Sequence, residues 1–177
     1  EFAVSEALKN QQRLHRVGWP ILISGLPLCV DRNRWAIGAF HANKYSFPED
    51  MQDTAISYLG MSDVLNVHTV IEGSPADQGG LKEGDVIIKV NNKEAPVGKD
   101  ASKKFSEIMR EELKEGNNVS LVVQQDGVQK ILEIVPTQIC DYPLIVINKD
   151  DVNAYADGNN IVIFQGIKKK KKTDQEL

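Results

Sequence analysis

Apolar and polar positions alternate with several different periods along the 177-residue chain. Residues 4–17 place Val4, Ala7, Leu8, Leu14 and Val17 near one side of a helix, with charges elsewhere, and Gly18 and Pro20 interrupt the pattern. The expectation is an amphipathic helix that packs on a larger body. Residues 21–47 read as strand-rich connection, with β character over Trp35–Phe40 and a turn at Asn43-Lys44. Phe47-Pro48-Glu49-Asp50 opens a short helix running to about Tyr58. Leu65–Ile71 reads as a strand with His68 on its exposed phase. Residues 102–116 carry Phe105, Ile108, Met109 and Leu113 at helical spacing, stopped by Gly116. Val119–Gln125 and Val128–Val135 flank Asp126-Gly127, the signal of a two-residue hairpin, and Pro136 ends the second strand. Beyond it, Leu144–Asn148 and Ile161–Gln165 read as strands, with residues 157–160 a turn after Val152–Ala156.

The most informative stretch is Ile71–Asn92. Ser74 suits a helix cap, Pro75 sits where its missing N–H is not needed, and Asp77 favours the positive helix end. Gly79 and Gly80 end that turn after about five residues, and Leu81 stands as a lone large apolar group among polar neighbours, so it is expected to plug a core. Residues 82–85 read as a turn, Val86–Val90 as a largely buried strand, and Asn91-Asn92 as the turn that closes it.

Gly73-Ser74-Pro75-Ala76, Gly80-Leu81, Gly84-Asp85-Val86-Ile87 and Val90-Asn91, in this register, resemble the middle of a bacterial PDZ domain. The resemblance implies an α+β chain: a PDZ-like, partly open β-barrel with a flanking helix over residues 56–137. Tyr58-Leu59-Gly60-Met61 is similar to the carboxylate-binding loop of such domains, in which successive main-chain N–H groups accept a terminal carboxylate. The implied partners are polypeptide C-termini or unfolded protein segments. The helix over 102–116 would form one groove wall, with Ser102 or Ser106 toward the ligand.

Charge narrows the partners further. Net charge is −4, and setting aside the run Lys168–Lys172 leaves 16 basic against 25 acidic residues, a net −9. An acidic body argues against nucleic acid or an anionic membrane as main partner. The longest apolar run, Ile21–Val30, is too short to span a bilayer and holds Pro27, so a membrane is not indicated by this fragment. Glu1 opens the chain without a basic leader segment, as after a cut in a longer precursor. Cys29 and Cys140 form no CxxC; they read either as two buried free thiols or as a disulfide, and a disulfide would point to an oxidising compartment. His15, His41 and His68 lack the spacing of a metal site.

The C-terminal segment carries a second resemblance. Asn153-Ala154-Tyr155-Ala156, Gly158, Ile161–Ile167 and Thr173-Asp174-Gln175-Glu176-Leu177 are similar to zinc metallopeptidases of the HtpX and CAAX-prenyl-protease type. There an N-A-F/Y strand and a strand-Gly element lead to a capped helix bearing H-E-x-x-H. This chain has no H-E-x-x-H, and Lys168–Lys172 departs from the family pattern. Thr173 and Glu176 have the form of a capping box, so the natural chain is expected to continue beyond Leu177.

The resemblance implies three parts: residues 1–55, an N-terminal helix and connection; 56–137, the PDZ domain; 138–177, the start of an incomplete peptidase domain contributing a β segment. Cys29 and Cys140 would meet because both flanks pack on one peptidase body. Asn153, Ala154 and Tyr155 would hold substrate backbone. The expectation is the peptide-binding, non-catalytic portion of a periplasmic or extracytoplasmic zinc metallopeptidase. Catalytic and metal residues are none in this fragment, and zinc is expected in the full-length protein. The rivals are a non-enzymatic PDZ adaptor or scaffold, and a PDZ domain whose groove the N-terminal helix blocks.

Overall fold

The N-terminal apolar stripe extends into a longer helix than its punctuation predicts. In the computed structural model, which describes residues 2–147, 154–156 and 159–164, α1 runs over Phe2–Ser24 with Pro20 inside it. Pro20 removes one main-chain donor, yet burial of Val17, Trp19 and Leu22 carries the helix through. Gly18 is a notch here: a Cβ on it would lie 1.9 Å from Cδ1 of Leu144. The remaining elements are β1 (Asn33–Ala36), β2 (Ala39–Ala42), α2 (Glu49–Leu59), β3 (Asn66–Val70), α3 (Pro75–Gln78), β4 (Val86–Val90), β5 (Lys93–Glu94) and α4 (Ala101–Glu112). They are followed by β6 (Val119–Gln125), β7 (Val128–Ile134), β8 (Thr137–Cys140), β9 (Leu144–Ile147), β10 (Ala154–Ala156) and β11 (Ile161–Phe164).

Two units divide the chain: one holds Glu1–Lys9 and Trp35–Gln138, the other Asn10–Arg34 and Ile139–Leu177. The first unit thus begins its main segment at Trp35 rather than at residue 56. The reason is pairing, since β2 is hydrogen-bonded to β3 as the outer strand of the order β2-β3-β4-β6-β7, with β5 on β4. Leu65, Val67, Ala76, Leu81, Phe105, Leu121 and Ile134 are buried in one cluster behind this sheet. A second cluster joins Val4 of α1 to Ala42, Phe47, Ala55 and Met61.

The local signals of the first unit fold as read. Ser74 Oγ accepts from Asp77 N–H at 3.3 Å while Gly73 N–H donates to the Asp77 carboxylate at 2.7 Å, closing α3 at its start. Leu81 plugs the core, 3% exposed. The turn after it is held by Asp85, which accepts from Lys82 N–H and from the Gln125 side chain, both at 2.9 Å, in a buried network. β6 and β7 are joined through Asp126 and Gly127, both with positive φ, in an unbroken register from Val119↔Ile134 to Gln125↔Val128.

In the second unit β9 lies parallel to β11 and β10 antiparallel to it. Val17 and Ile163 are buried together, with Leu14, Ile21 and Ile161 against them. Cys29 and Cys140 are joined in a disulfide spanning 111 residues of sequence. Beside it Arg34 pairs with Asp141 at 3.1 Å, Asp141 N–H donates to Arg32 O at 2.8 Å, and the Arg32 guanidinium lies over the Tyr142 ring. The strands expected at Leu144–Asn148 and Ile161–Gln165 appear as β9 and β11; Asn148 and Gln165 lie outside the described residues, as do Lys168–Lys172 and Thr173–Glu176.

Candidate functional site: the β2 edge and α4

β2 is an edge strand of four residues. Its inner side faces β3, with Ala39↔Val70 and Phe40↔Thr69 followed by a register shift that places His41 opposite Val67. Val67 uses its own N–H and C=O on Asp85 O and Gly84 N–H. Gly38 O accepts from Ile71 N–H at 2.9 Å, so strand alternation turns the main-chain groups of Ala39 and His41 to the outer edge.

The entry to β2 is a tight bend at Gly38, φ 78°. The Ile37 and Gly38 carbonyls are both turned toward the α3 segment, accepting from Ala76 N–H at 2.8 Å and from Ile71 N–H; Ser74 Oγ also donates to Gly38 O. A trans peptide carries its N–H opposite its C=O, and the described chain has no cis bond. The amides of Gly38 and Ala39 therefore point away from α3, two in succession, beside a residue at positive φ. That is the arrangement of an anion-accepting nest.

The wall opposite the β2 edge is α4. His41 Nε2 lies 3.0 Å from Ser102 O and 3.5 Å from Ser106 Oγ, and its ring meets Phe105 edge-on with centroids 4.9 Å apart. Ser106 Oγ also donates to Ser102 O at 3.0 Å. The Ser106 hydroxyl and the main-chain carbonyl of Ser102 therefore face β2. His41 carried no message in the sequence, and it proves to be the side chain that reaches from strand to helix. Burial lowers the His41 pKa, against the contact with Ser102 O, which raises it.

His68 departs from its expected exposure. It is 7% exposed, because the β2/β3 register shift and the cover on both faces bury Val67, His68 and Thr69 in succession. Its Nδ1 lies 2.8 Å from Thr69 Oγ1. Burial first, and then nearby His41, push its pKa down to about 4.

α4 is anchored at its C-terminal end. Glu112 is hydrogen-bonded by Asn91 and paired with Lys93 at 2.8 Å, and these partners, Lys93 first, hold its carboxyl below the usual range. Past that end, Gly116 (φ 74°) lies under Trp35, so that a Cβ there would be 2.5 Å from Trp35 Cε2. Gly116→Ala is expected to cost about 2 kcal/mol through overpacking and the left-handed backbone; denaturant unfolding followed by Trp35 fluorescence in a Trp19→Phe background measures it.

Tyr58, Leu59, Gly60 and Met61 do not form a carboxylate loop of this kind. Tyr58 and Leu59 are the last residues of α2, and Gly60 is its left-handed cap. Gly60 N–H donates to Ile56 O at 3.1 Å and Met61 N–H to Ala55 O at 3.2 Å, while the Met61 side chain is buried. The amides that reading relied on are engaged by the helix end. The signal that could have found the other bend is the same apolar-Gly-apolar pattern at Ile37-Gly38-Ala39. Ala154 and Tyr155 lie in β10, an outer strand of the three-stranded sheet, and Asn153 lies outside the described residues.

Among the described residues no group of three His, Cys, Asp or Glu side chains is placed to hold a metal ion, and no helix is long and apolar enough to cross a membrane.

Residues 67–125 match the PDZ domain family. A Thermotoga maritima protein named "Putative zinc metalloprotease" is 34% identical over 70 residues, which is 40% of this chain and 12% of that protein. The chain thus spans a small part of that relative's length. Similar solved structures include the HtrA3 PDZ domain bound to a phage-derived ligand (FGRWV), with 20% identity, a TM-score of 0.42, and coverage of 60% of this chain and 88% of that one. Another is the HtrA-type protease AlgW with decapeptide, at 22% identity, a TM-score of 0.43, and coverage of 60% and 30%. The chain carries a PDZ-like fold of mixed helix and sheet, preceded by an N-terminal helix.

Proposed function

We propose that the first unit captures the C-terminal end of an extended polypeptide as an added strand on β2, with its side chains against α4 and its carboxylate on the Gly38 and Ala39 amides. The observation that carries this reading is the pair of carbonyls, Ile37 and Gly38, both turned to the α3 segment, which aims two successive N–H groups away from it at the head of an edge strand. Main-chain hydrogen bonds along β2 supply affinity that is indifferent to sequence, and the carboxylate supplies polarity and register.

The test is a titration of apolar-ended peptides as free acids and as C-terminal amides. Hydrogen bonds to a charged acceptor contribute about 1.5–3 kcal/mol, so amidation is expected to weaken binding by about 10- to 100-fold. Equal binding of the two forms removes the carboxylate seat.

The parent protein, on this reading, is a zinc metallopeptidase of the HtpX and CAAX-prenyl-protease type in which the unit delivers or senses substrate tails. The zinc and its ligands belong to sequence beyond this chain, and β10 with Ala154 and Tyr155 is a substrate-strand edge. Support comes from the metalloprotease relative and from the outer position of β10. The Cys29–Cys140 disulfide supports a periplasmic or other extracytoplasmic location. An adaptor without catalysis is the alternative. The gene beyond Leu177 separates the two, since H-E-x-x-H is expected shortly downstream on the peptidase reading.

A further inference from the structure

Asn43 lies just past β2, fully buried, in a position the binding mode above does not require. Its side-chain NH2 donates to Gly98 O at 2.8 Å and to Asp63 O at 3.1 Å. Its side-chain oxygen accepts from Tyr45 N–H at 3.1 Å, and its own N–H donates to Ser46 Oγ at 3.1 Å. Both donors and the oxygen of the carboxamide are therefore engaged, together with the main-chain N–H.

Two of those bonds connect elements that chain continuity leaves apart. Gly98 O accepts at once from Asn43 and from Ala101 N–H, the first residue of α4, at 3.1 Å. Gly98 N–H donates to Asp63 O, the second carbonyl Asn43 holds. The end of β2, the segment entering β3 and the first turn of α4 thus meet on one carboxamide. Asp100, the cap residue of α4, makes no side-chain cap of its own. The first turn of the helix is bonded to Gly98, and Gly98 is held by Asn43 at its carbonyl and by Asp63 at its N–H.

We infer that Asn43 is a positioning residue for peptide capture, setting the separation between the β2 edge and the first turn of α4 at the end of the groove remote from the Gly38 bend. A strand added to β2 must fit between that edge and Ala101, Ser102 and Phe105. Loss of the two Nδ2 bonds frees the helix start to move, and the groove no longer presents one width. This inference rests on the proposed capture of peptides by β2.

The experiment uses the whole chain and one apolar-ended peptide in free-acid and amide forms. Asn43→Asp keeps an oxygen for Tyr45 N–H and removes both donors. It is expected to weaken free-acid binding about tenfold while leaving the acid-to-amide ratio unchanged, and to speed amide hydrogen exchange at Ala101. Ser46→Ala breaks the local cap without touching the donors; it is expected to lower stability and leave the peptide affinity near wild type. Wild-type affinity in folded Asn43→Asp, or equal weakening by Ser46→Ala, overturns the inference. Should Asn43→Asp not fold, exchange on the wild-type protein decides: bound peptide is expected to raise protection at Ala101 and Gly98 together, and protection confined to β2 overturns it. An acid-to-amide ratio of one in the wild type would instead remove the carboxylate seat, a separate failure.

Discussion

Replacing Cys29 and Cys140 with alanine is expected to lower the free energy of complete unfolding by about 4–5 kcal/mol, the chain-entropy value for an unfolded closed loop of this length. The second unit is assembled from Asn10–Arg34 and from the segment after Ile139, so its parts find each other across more than a hundred intervening residues. The other bonds at the junction are weak substitutes. Arg34–Asp141 is an ion pair about one-third exposed on either side, in a class that contributes about 0–1 kcal/mol. The Arg32–Tyr142 stacking contributes about 1 kcal/mol at such a site. The covalent link therefore dominates. Each unit holds one tryptophan, Trp19 in the second and Trp35 in the first. Denaturant unfolding in a Trp35→Phe background reports the second unit alone. The expected outcome is a large drop in the midpoint of the Trp19 signal for the double variant or under reductant. Coincident curves with and without reductant would count against a bonded pair.

What the sequence made legible is what depends on neighbours along the chain. The α3 turn, the plugging Leu81 and the Asp126-Gly127 hairpin each follow from a few adjacent residues whose backbone needs are specific. The same logic misplaced Gly18, because a glycine inside a helix reads as a stop until the strand that crosses it is known; the Leu144 side chain sits where a Cβ would be and would have to shift for any other residue. It also read Tyr58-Leu59-Gly60-Met61 as the carboxylate loop and passed over the apolar-Gly-apolar pattern at Ile37-Gly38-Ala39. A left-handed glycine serves equally to cap a helix and to open a row of amides, and only the partners of those amides separate Leu59-Gly60-Met61 from Ile37-Gly38-Ala39. Here β2, the outer strand paired with β3, lies outside the segment matched to the PDZ family. His41 and Asn43 were silent for a related reason: their roles come from contacts with residues 55 to 61 positions away.

Acid is expected to destabilise the first unit through its histidines, His68 and His41. His68 has its folded pKa depressed to about 4, against an ordinary value of 6.5. As pH falls through 6.5 the unfolded chain binds a proton that the folded one refuses, so stability is intact above pH 7 and declines through the window from 6.5 to about 4. Each unit of separation corresponds to about 1.4 kcal/mol, so the full window amounts to about 3 kcal/mol for His68. His41, also lowered, acts in the same direction. Glu112, whose folded pKa is depressed, contributes its own loss only as pH falls below its unfolded value of 4.5, which leaves the interval between pH 4.5 and 6.5 to the histidines. The cause is physical exclusion: charging His68 means placing a cation in a nearly closed space, hydrogen-bonded on one side to Thr69 and next to a second imidazole. Urea unfolding at pH 7.0, 5.5 and 4.5, followed by Trp35 fluorescence in the Trp19→Phe background, measures the slope. His68→Gln is expected to reduce it to the His41 contribution, and an unchanged slope in that variant would show that the burial of His68 does not govern the acid limb. Because His41 bridges β2 to α4, peptide affinity measured over the same interval is expected to fall with stability rather than rise.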